Sequence, residues 1–161
     1  MTTRQRAPVT LRPFTDGDYD AMVAISNESY PDYAWTVAEL RHMDDDWTPE
    51  GYFRRRMIAD EGGGPVGYCD VANSRGQFVA ENFSIDLVVR PAGRRRGIGT
   101  ALFEDAVTAL KGRRAHWVRA RYVREYGSWR YVPGHWSNQT VVEGDDYRRW
   151  RDEHRGSRRP N

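Results

Sequence analysis

Apolar positions along this chain recur in two periods, and their order predicts strands and helices in alternation. Val9-Thr10-Leu11-Arg12-Pro13-Phe14 alternates and predicts a short strand, with Pro13 near its end. Thr15 reads as a helix N-cap with Asp18 as its reciprocal partner three residues on. Tyr19, Met22, Val23 and Ile25 then give a helix one apolar face, and Pro31 lies just past its end. Thr36-Val37-Ala38-Glu39 is a second capping box; Val37, Leu40 and Met43 continue a short helix that stops near Asp44-Asp45-Asp46. Arg56-Met57-Ile58-Ala59-Asp60 and the run from Val66 to Val71 predict two strands. Glu61-Gly62-Gly63-Gly64-Pro65 between them is turn material. A loop at Asn73-Ser74-Arg75-Gly76 precedes another strand, strongest from Phe83 to Val89. Ile98, Ala101, Leu102, Ala106 and Ala109 share one side of a helix from about Gly97 to Leu110, which stops near Gly112. Trp117 to Val123 is the last clear strand. The order is β, two helices, an antiparallel run, then β–α–β, which implies a mixed α/β sheet with helices on its faces.

After Val123 the periodicity ends. Residues 122–161 contain no Leu, Ile, Met, Phe or Ala, and Trp129, Trp136 and Trp150 are scattered among Arg, Gly, Ser and Asp. Neither a period of 2 nor one of 3.6 fits. The segment 125–161 is therefore expected to be atypical, irregular or partly disordered. The alternative is that its aromatics dock on the sheet.

A chain of 161 residues is most simply one domain able to bury a proper core. Its net charge of +2 conceals a split: residues 1–90 carry 9 basic and 15 acidic groups, residues 91–161 carry 16 and 8. The basic half suits a polyanionic ligand. The single cysteine, Cys69, excludes an intramolecular disulfide and reads as a buried structural thiol. His42, His116, His135 and His154 are dispersed, so no metal site is expected. The N-terminus lacks a signal-peptide core and no run approaches a membrane span, which leads to the expectation of a cytoplasmic protein with no membrane partner.

The most informative chemistry lies where the strand ending at Val89 passes Pro91 and Arg94-Arg95-Arg96-Gly97-Ile98-Gly99-Thr100 and enters the helix. Unpaired N–H groups at the positive end of a helix dipole make an anion site, glycines let backbone approach a ligand, and three arginines add charge. We read this as a diphosphate cradle. It is not a P-loop, because counting from Gly93 puts Ile98 at the second glycine and there is no lysine. It is not a dinucleotide fingerprint either, because Leu102 stands where the third glycine belongs.

The segment from Leu87 to Leu102 resembles motif A of the GNAT superfamily of N-acetyltransferases, Gln/Arg-x-x-Gly-x-Gly/Ala after an apolar strand. Arg94, Gly97 and Gly99 fill its fixed positions. The upstream helices and hairpin follow the family's order, and the resemblance covers about residues 8–124. It implies a central, mostly antiparallel mixed sheet flanked by helices, and acetyl-CoA as co-substrate. The diphosphate would lie on the N–H groups of about Arg95, Arg96, Gly97, Ile98, Gly99 and Thr100, with the pantetheine arm paired to backbone along Leu87, Val88 and Val89 like an added strand. It also implies amide groups near Val89 that polarise the thioester. Direct attack by a primary amine would need a base, for which Glu81 is the first candidate and Asp86 the second.

The family's tyrosine acid, on a helix after the fifth strand, has no counterpart: neither the Asn-x-x-Ala type of start nor the Gly-Phe pair is present, and the text around Tyr126 and Tyr131 does not match. The ending reads as a truncated or frame-shifted relic of the family's last helix and strands. The expected function is acetyl transfer to an amine of a small molecule or protein; the alternatives are a catalytically impaired acyl-CoA-binding module and, less favoured, a nucleic-acid binder using the Arg- and Trp-rich tail. Glu28 and Asp44-Asp45-Asp46 would attract a cationic acceptor, and a homodimer is the partner arrangement that would complete the sheet.

Overall fold

The computed structural model describes residues 8–46, 52–73, 79–115, 117–122, 127–132 and 135–140. The chain runs β1 Val9–Pro13, α1 Tyr19–Ser29, α2 Val37–Asp45, β2 Arg54–Glu61, β3 Pro65–Asn73, β4 Asn82–Val89, α3 Ile98–Lys111, β5 Trp117–Tyr122, β6 Gly127–Val132 and β7 His135–Thr140. The seven strands form one sheet in chain order. Every neighbouring pair is antiparallel except β4 and β5, which α3 joins as a parallel crossover. Residues 127–140, to which no period could be fitted, contribute the hairpin β6–β7 to that sheet.

Both capping boxes form. The Thr15 N–H and hydroxyl meet Asp18 Oδ2 at 2.8 and 3.0 Å, and Arg12 donates two further bonds of 2.8 Å to the same carboxylate. The Arg12 guanidinium, with help from Thr15, outweighs burial and holds the Asp18 carboxyl down at about 2. Thr36 and Glu39 exchange bonds of 2.8 to 3.2 Å at the start of α2. The β2–β3 turn needs its glycines, since Gly64 sits at φ 125.

The alternation of the strands sorts the core into two faces. Ala59, Cys69, Val71, Phe83 and Ile85 pack with Leu102, Ala106 and Leu110 of α3. Ile58, Tyr68 and Val88 pack with Met22 and Ile25 of α1. Burial of Cys69 pushes its thiol up, away from nucleophile chemistry.

Helix α2 has no fully buried residue and is held by charge instead. Its Asp44 takes Arg54 at 2.7 Å, Arg56 at 2.8 Å and the Tyr19 hydroxyl at 2.6 Å. The same two arginines reach Asp70 of β3 at 2.7 Å each. Two guanidinium and two carboxylate groups thus pin α2 and the sheet together on the α1 side.

Candidate functional site

The site begins with a mismatch between two ladders. On one side β4 pairs with β3 without a register break from Phe83 to Val89. On the other, among the described residues, its pairing with β5 covers only Asn82 to Ile85, opposite Trp117 to Ala120. Arg90 N–H donates to Val66 C=O at 2.9 Å. Alternation along an antiparallel strand then turns the Val88 groups toward β3 and those of Leu87 and Val89 away from it. A seam therefore opens between β4 and β5 beyond Ile85. Leu87 N–H and C=O and Val89 N–H line it, while Val89 C=O accepts a 3.0 Å bond from Arg94 Nε.

The chain leaves β4 through Pro91 and enters α3 directly above this seam. Gly97, the N-cap, lies at φ 82, where an L side chain is strained. The first helical bond runs from Ala101 N–H to Gly97 C=O at 3.0 Å. The N–H groups of Ile98, Gly99 and Thr100 come before it and have no helical carbonyl to reach. A Cβ on Gly97 would meet nothing within 4 Å, so that side of the turn is open space. A Cβ on Gly99 would touch Leu87 Cδ2 and Val89 Cγ2 at 3.7 Å. Gly99 thus faces the strand, and its role is close contact of helix start and β4 rather than clearance for a ligand.

The three arginines divide. Arg94 reaches back to Val89 C=O and to Ser29 Oγ at 3.1 Å. Arg96 pairs with Glu61 at the end of β2. Arg95, at φ 62, is exposed and makes no ion pair among the described residues. Two of the three guanidinium groups therefore brace the loop, and the ring of amides faces the open side.

The two carboxylates proposed from sequence are set apart along β4, Glu81 just before its first residue and Asp86 in its second half. Glu81 precedes the strand and lines a cavity of about 550 Å³ with Phe53, Asn73, Phe83 and Arg113. It stands six positions before Leu87, roughly 20 Å away along an extended strand. Asp86 is the residue next to the seam, exposed, on the α1 face. The Tyr68 hydroxyl donates to its Oδ2 at 3.2 Å. Asp44 and Glu28, read from sequence as attractors of a cationic acceptor, are engaged: Asp44 in the network above, Glu28 with Arg90 at 2.6 Å. Tyr126 lies outside the described residues, as does the side chain of Tyr131.

Sequence reasoning missed Ser29, Glu61 and Tyr68. Strand alternation places Tyr68 on the face of Val88 and Asp86 once the β3–β4 register is known, but nothing in the linear text gives that register. Among the described residues no cluster of three His, Cys, Asp or Glu is placed to hold a metal, and no helix is long and apolar enough to cross a membrane.

Comparisons with known proteins bear on this geometry. Residues 19–126 match the model of the acetyltransferase (GNAT) family. No curated protein matches the sequence. Among solved structures, a phosphinothricin acetyltransferase from Sinorhizobium meliloti in complex with acetyl-CoA is similar over 70% of this chain and 64% of its own, at 22% identity and TM-score 0.59. An acetyltransferase from Brucella melitensis in complex with acetyl-CoA is similar over 87% of this chain and 98% of its own, at 15% identity and TM-score 0.58. The ribosomal-protein-alanine N-acetyltransferase of Brucella melitensis is similar over 69% and 72%, at 20% identity and TM-score 0.59. At these identities the likeness establishes the fold.

Proposed function

The chain belongs to the acetyltransferase (GNAT) family, and from that premise we propose that it transfers an acetyl group from acetyl-CoA to a primary amine of a small molecule or protein. The observation that carries the reading is the seam itself: strand amides at Leu87 and Val89 lie beside helix amides at Ile98, Gly99 and Thr100, all without a backbone partner among the described residues. An extended ligand with amides in one half and a diphosphate in the other fits that sequence of donors and acceptors.

In this reading the helix amides hold the diphosphate, with Arg95 adding charge at the rim. Leu87 and Val89 pair with the amide-bearing arm, and the Val89 N–H is left to polarise the acyl carbonyl. Acetyl-CoA, when bound, supplies an acyl group activated as a thioester. The amine nitrogen replaces sulfur on the acyl carbon: an N–C bond forms, the C–S bond breaks, and the sulfur leaves as a thiol with the proton the amine gives up. An alkylamine of pKa near 10.4 is neutral in only about one molecule in 10³ at pH 7, a deficit of about 4 kcal/mol. Asp86 is the group at the seam able to attract the ammonium and hand its proton to water. Glu81 is too far along β4 to share that role.

A second reading, a binding module with impaired catalysis, draws support from one observation. β5 ends at Tyr122 and β6 starts at Gly127, leaving no room between them for the acid-bearing helix implied by the family resemblance.

The experiment that separates the readings is a thermal titration with acetyl-CoA followed by thiol release across a panel of amines. Stabilisation together with amine-dependent release is expected. No stabilisation would overturn both readings, and stabilisation with no release from any amine would select the binding module. For an active enzyme, Asp86→Asn is expected to lower kcat/KM for the amine by about 10²-fold while leaving acetyl-CoA affinity unchanged. Full activity in that variant would remove Asp86 from the mechanism.

A further inference from the structure

Tyr68 is among the most buried side chains of the protein, at 2% exposure, yet its hydroxyl meets an exposed carboxylate. The ring lies on β3 opposite Val88, so Asp86 is its diagonal neighbour on β4, within reach of an aromatic side chain. A phenol has a single proton, and the Tyr68 hydroxyl donates it to Asp86 Oδ2.

We infer that Tyr68 is a positioning residue for Asp86: with its ring held in the core among Met22, Ile25, Ile58 and Val88, its hydroxyl fixes the Asp86 carboxylate at the edge of the seam where an acceptor amine arrives. The inference rests on the amine-acetylation reading for its consequence in turnover, though not for the contact itself. Burial first, and the Asp86 charge second, push the Tyr68 hydroxyl far above its ordinary value, so it remains a neutral donor at every working pH.

The other groups around Asp86 define what a titration would report. Asp70 stands directly opposite in register, with Arg54 and Arg56 bonded to it. Tyr30, at the end of α1, feels the Asp86 charge, with Arg94 acting against it. Ser84, two positions back on the same face, donates to Ala72 C=O at 3.4 Å. Arg119 of β5 lies opposite Ser84 in register.

The test is the carboxyl-carbon NMR titration of Asp86 in the intact chain, the signal being assigned by its loss in Asp86→Asn. In Tyr68→Phe the midpoint is expected to move to higher pH, because removing a donor costs the carboxylate more than the acid. The acidic limb of the kcat/KM profile moves with it, and kcat/KM falls about 10-fold, the size of one hydrogen bond to a charged group. KM for acetyl-CoA stays unchanged. Tyr68→Met, which also lacks the hydroxyl but packs flexibly, shifts the midpoint in the same direction and serves if the phenylalanine variant loosens the core. In an Asp86→Asn background Tyr68→Phe has no further effect on residual turnover, whereas a merely structural role lowers it again. An Asp86 midpoint unmoved in both variants overturns the inference. If the wild-type chain acetylates no amine, the reading of function fails, while the carboxyl titration still decides the contact.

Discussion

Gly97→Glu is expected to abolish the stabilisation of the protein by acetyl-CoA. In the wild type, ligand at 100 times its Kd is worth about 2.7 kcal/mol. For a chain of this size that corresponds to a rise in Tm of roughly 5–10 °C. The glutamate side chain would project into the open side of the turn, where a Cβ meets nothing within 4 Å. On the reading proposed above, a carboxylate there would compete with the diphosphate for the Ile98, Gly99 and Thr100 amides and repel it. The substitution also has a backbone cost, since Gly97 lies at φ 82 and an L residue in that region costs about 1–2 kcal/mol. Gly97→Asn separates the two effects: asparagine tolerates positive φ and carries no charge, so it keeps most of the response. A glutamate variant that still responds like wild type would mean that the diphosphate binds elsewhere.

The second large effect concerns the charge network under α2. Arg56→Leu is expected to cost 3–5 kcal/mol, the usual penalty for breaking a buried ion pair by removing one partner. That is a substantial share of the 5–15 kcal/mol that holds a domain together. The Arg56 side chain is only 7% exposed and bonds both Asp44 and Asp70. Burial by itself would raise the Asp44 carboxyl, but the bonds from Arg56 and Tyr19 outweigh it and hold the group at about 2. A folded pKa below the unfolded one, near 3.8, stabilises the protein above about pH 4. That contribution is lost as pH falls toward 2, and Asp18 behaves in the same way. Urea unfolding at pH 7 and across pH 2–5 measures both terms: the variant should lose stability at neutral pH and show a shallower acid slope. Wild-type stability at pH 7 would show that Arg54 alone carries the network.

These two sites differ in how far they could be read from the linear text. Gly97 could be, because strand, glycine turn and helix follow one another within a few residues, and the apolar stripe Ile98, Leu102, Ala106, Leu110 marks the helix unambiguously. Both capping boxes were legible for the same reason. The α2 network was not. Arg54-Arg55-Arg56 looks like a solvated run and Asp44-Asp45-Asp46 like a polar helix end; the burial of Arg54, Arg56 and Asp44 comes from pairing across 10 to 16 residues, which local periodicity does not carry. Glu81 ranks before Asp86 as a candidate base in the sequence; what distinguishes their positions, where β4 begins and where its ladder with β5 stops, is not written in the linear text. β6 and β7 gave no signal because Arg, Tyr, Trp and Ser occupy them without an alternating apolar face. Arg94 and Arg96 looked like ligand-facing charge, and their partners Val89, Ser29 and Glu61 became visible only once the loop had a shape.

The one-to-one match between strand order and chain order has a consequence for synthesis. Each strand meets the strand made just before it: β2 to β3 and β3 to β4 close over short connections, β1 to β2 and β4 to β5 close over the helices between them, and no strand waits for a partner made out of turn. By the time Val89 leaves the ribosome, β1 to β4 and the helix that shields Ile58 and Val88 have all been translated. The opposite side, with Ala59, Val71, Phe83 and Ile85, stays bare until the segment ending at Lys111 follows. A nascent chain stalled in that interval would display a sticky half-covered sheet, the species on which a holdase chaperone acts.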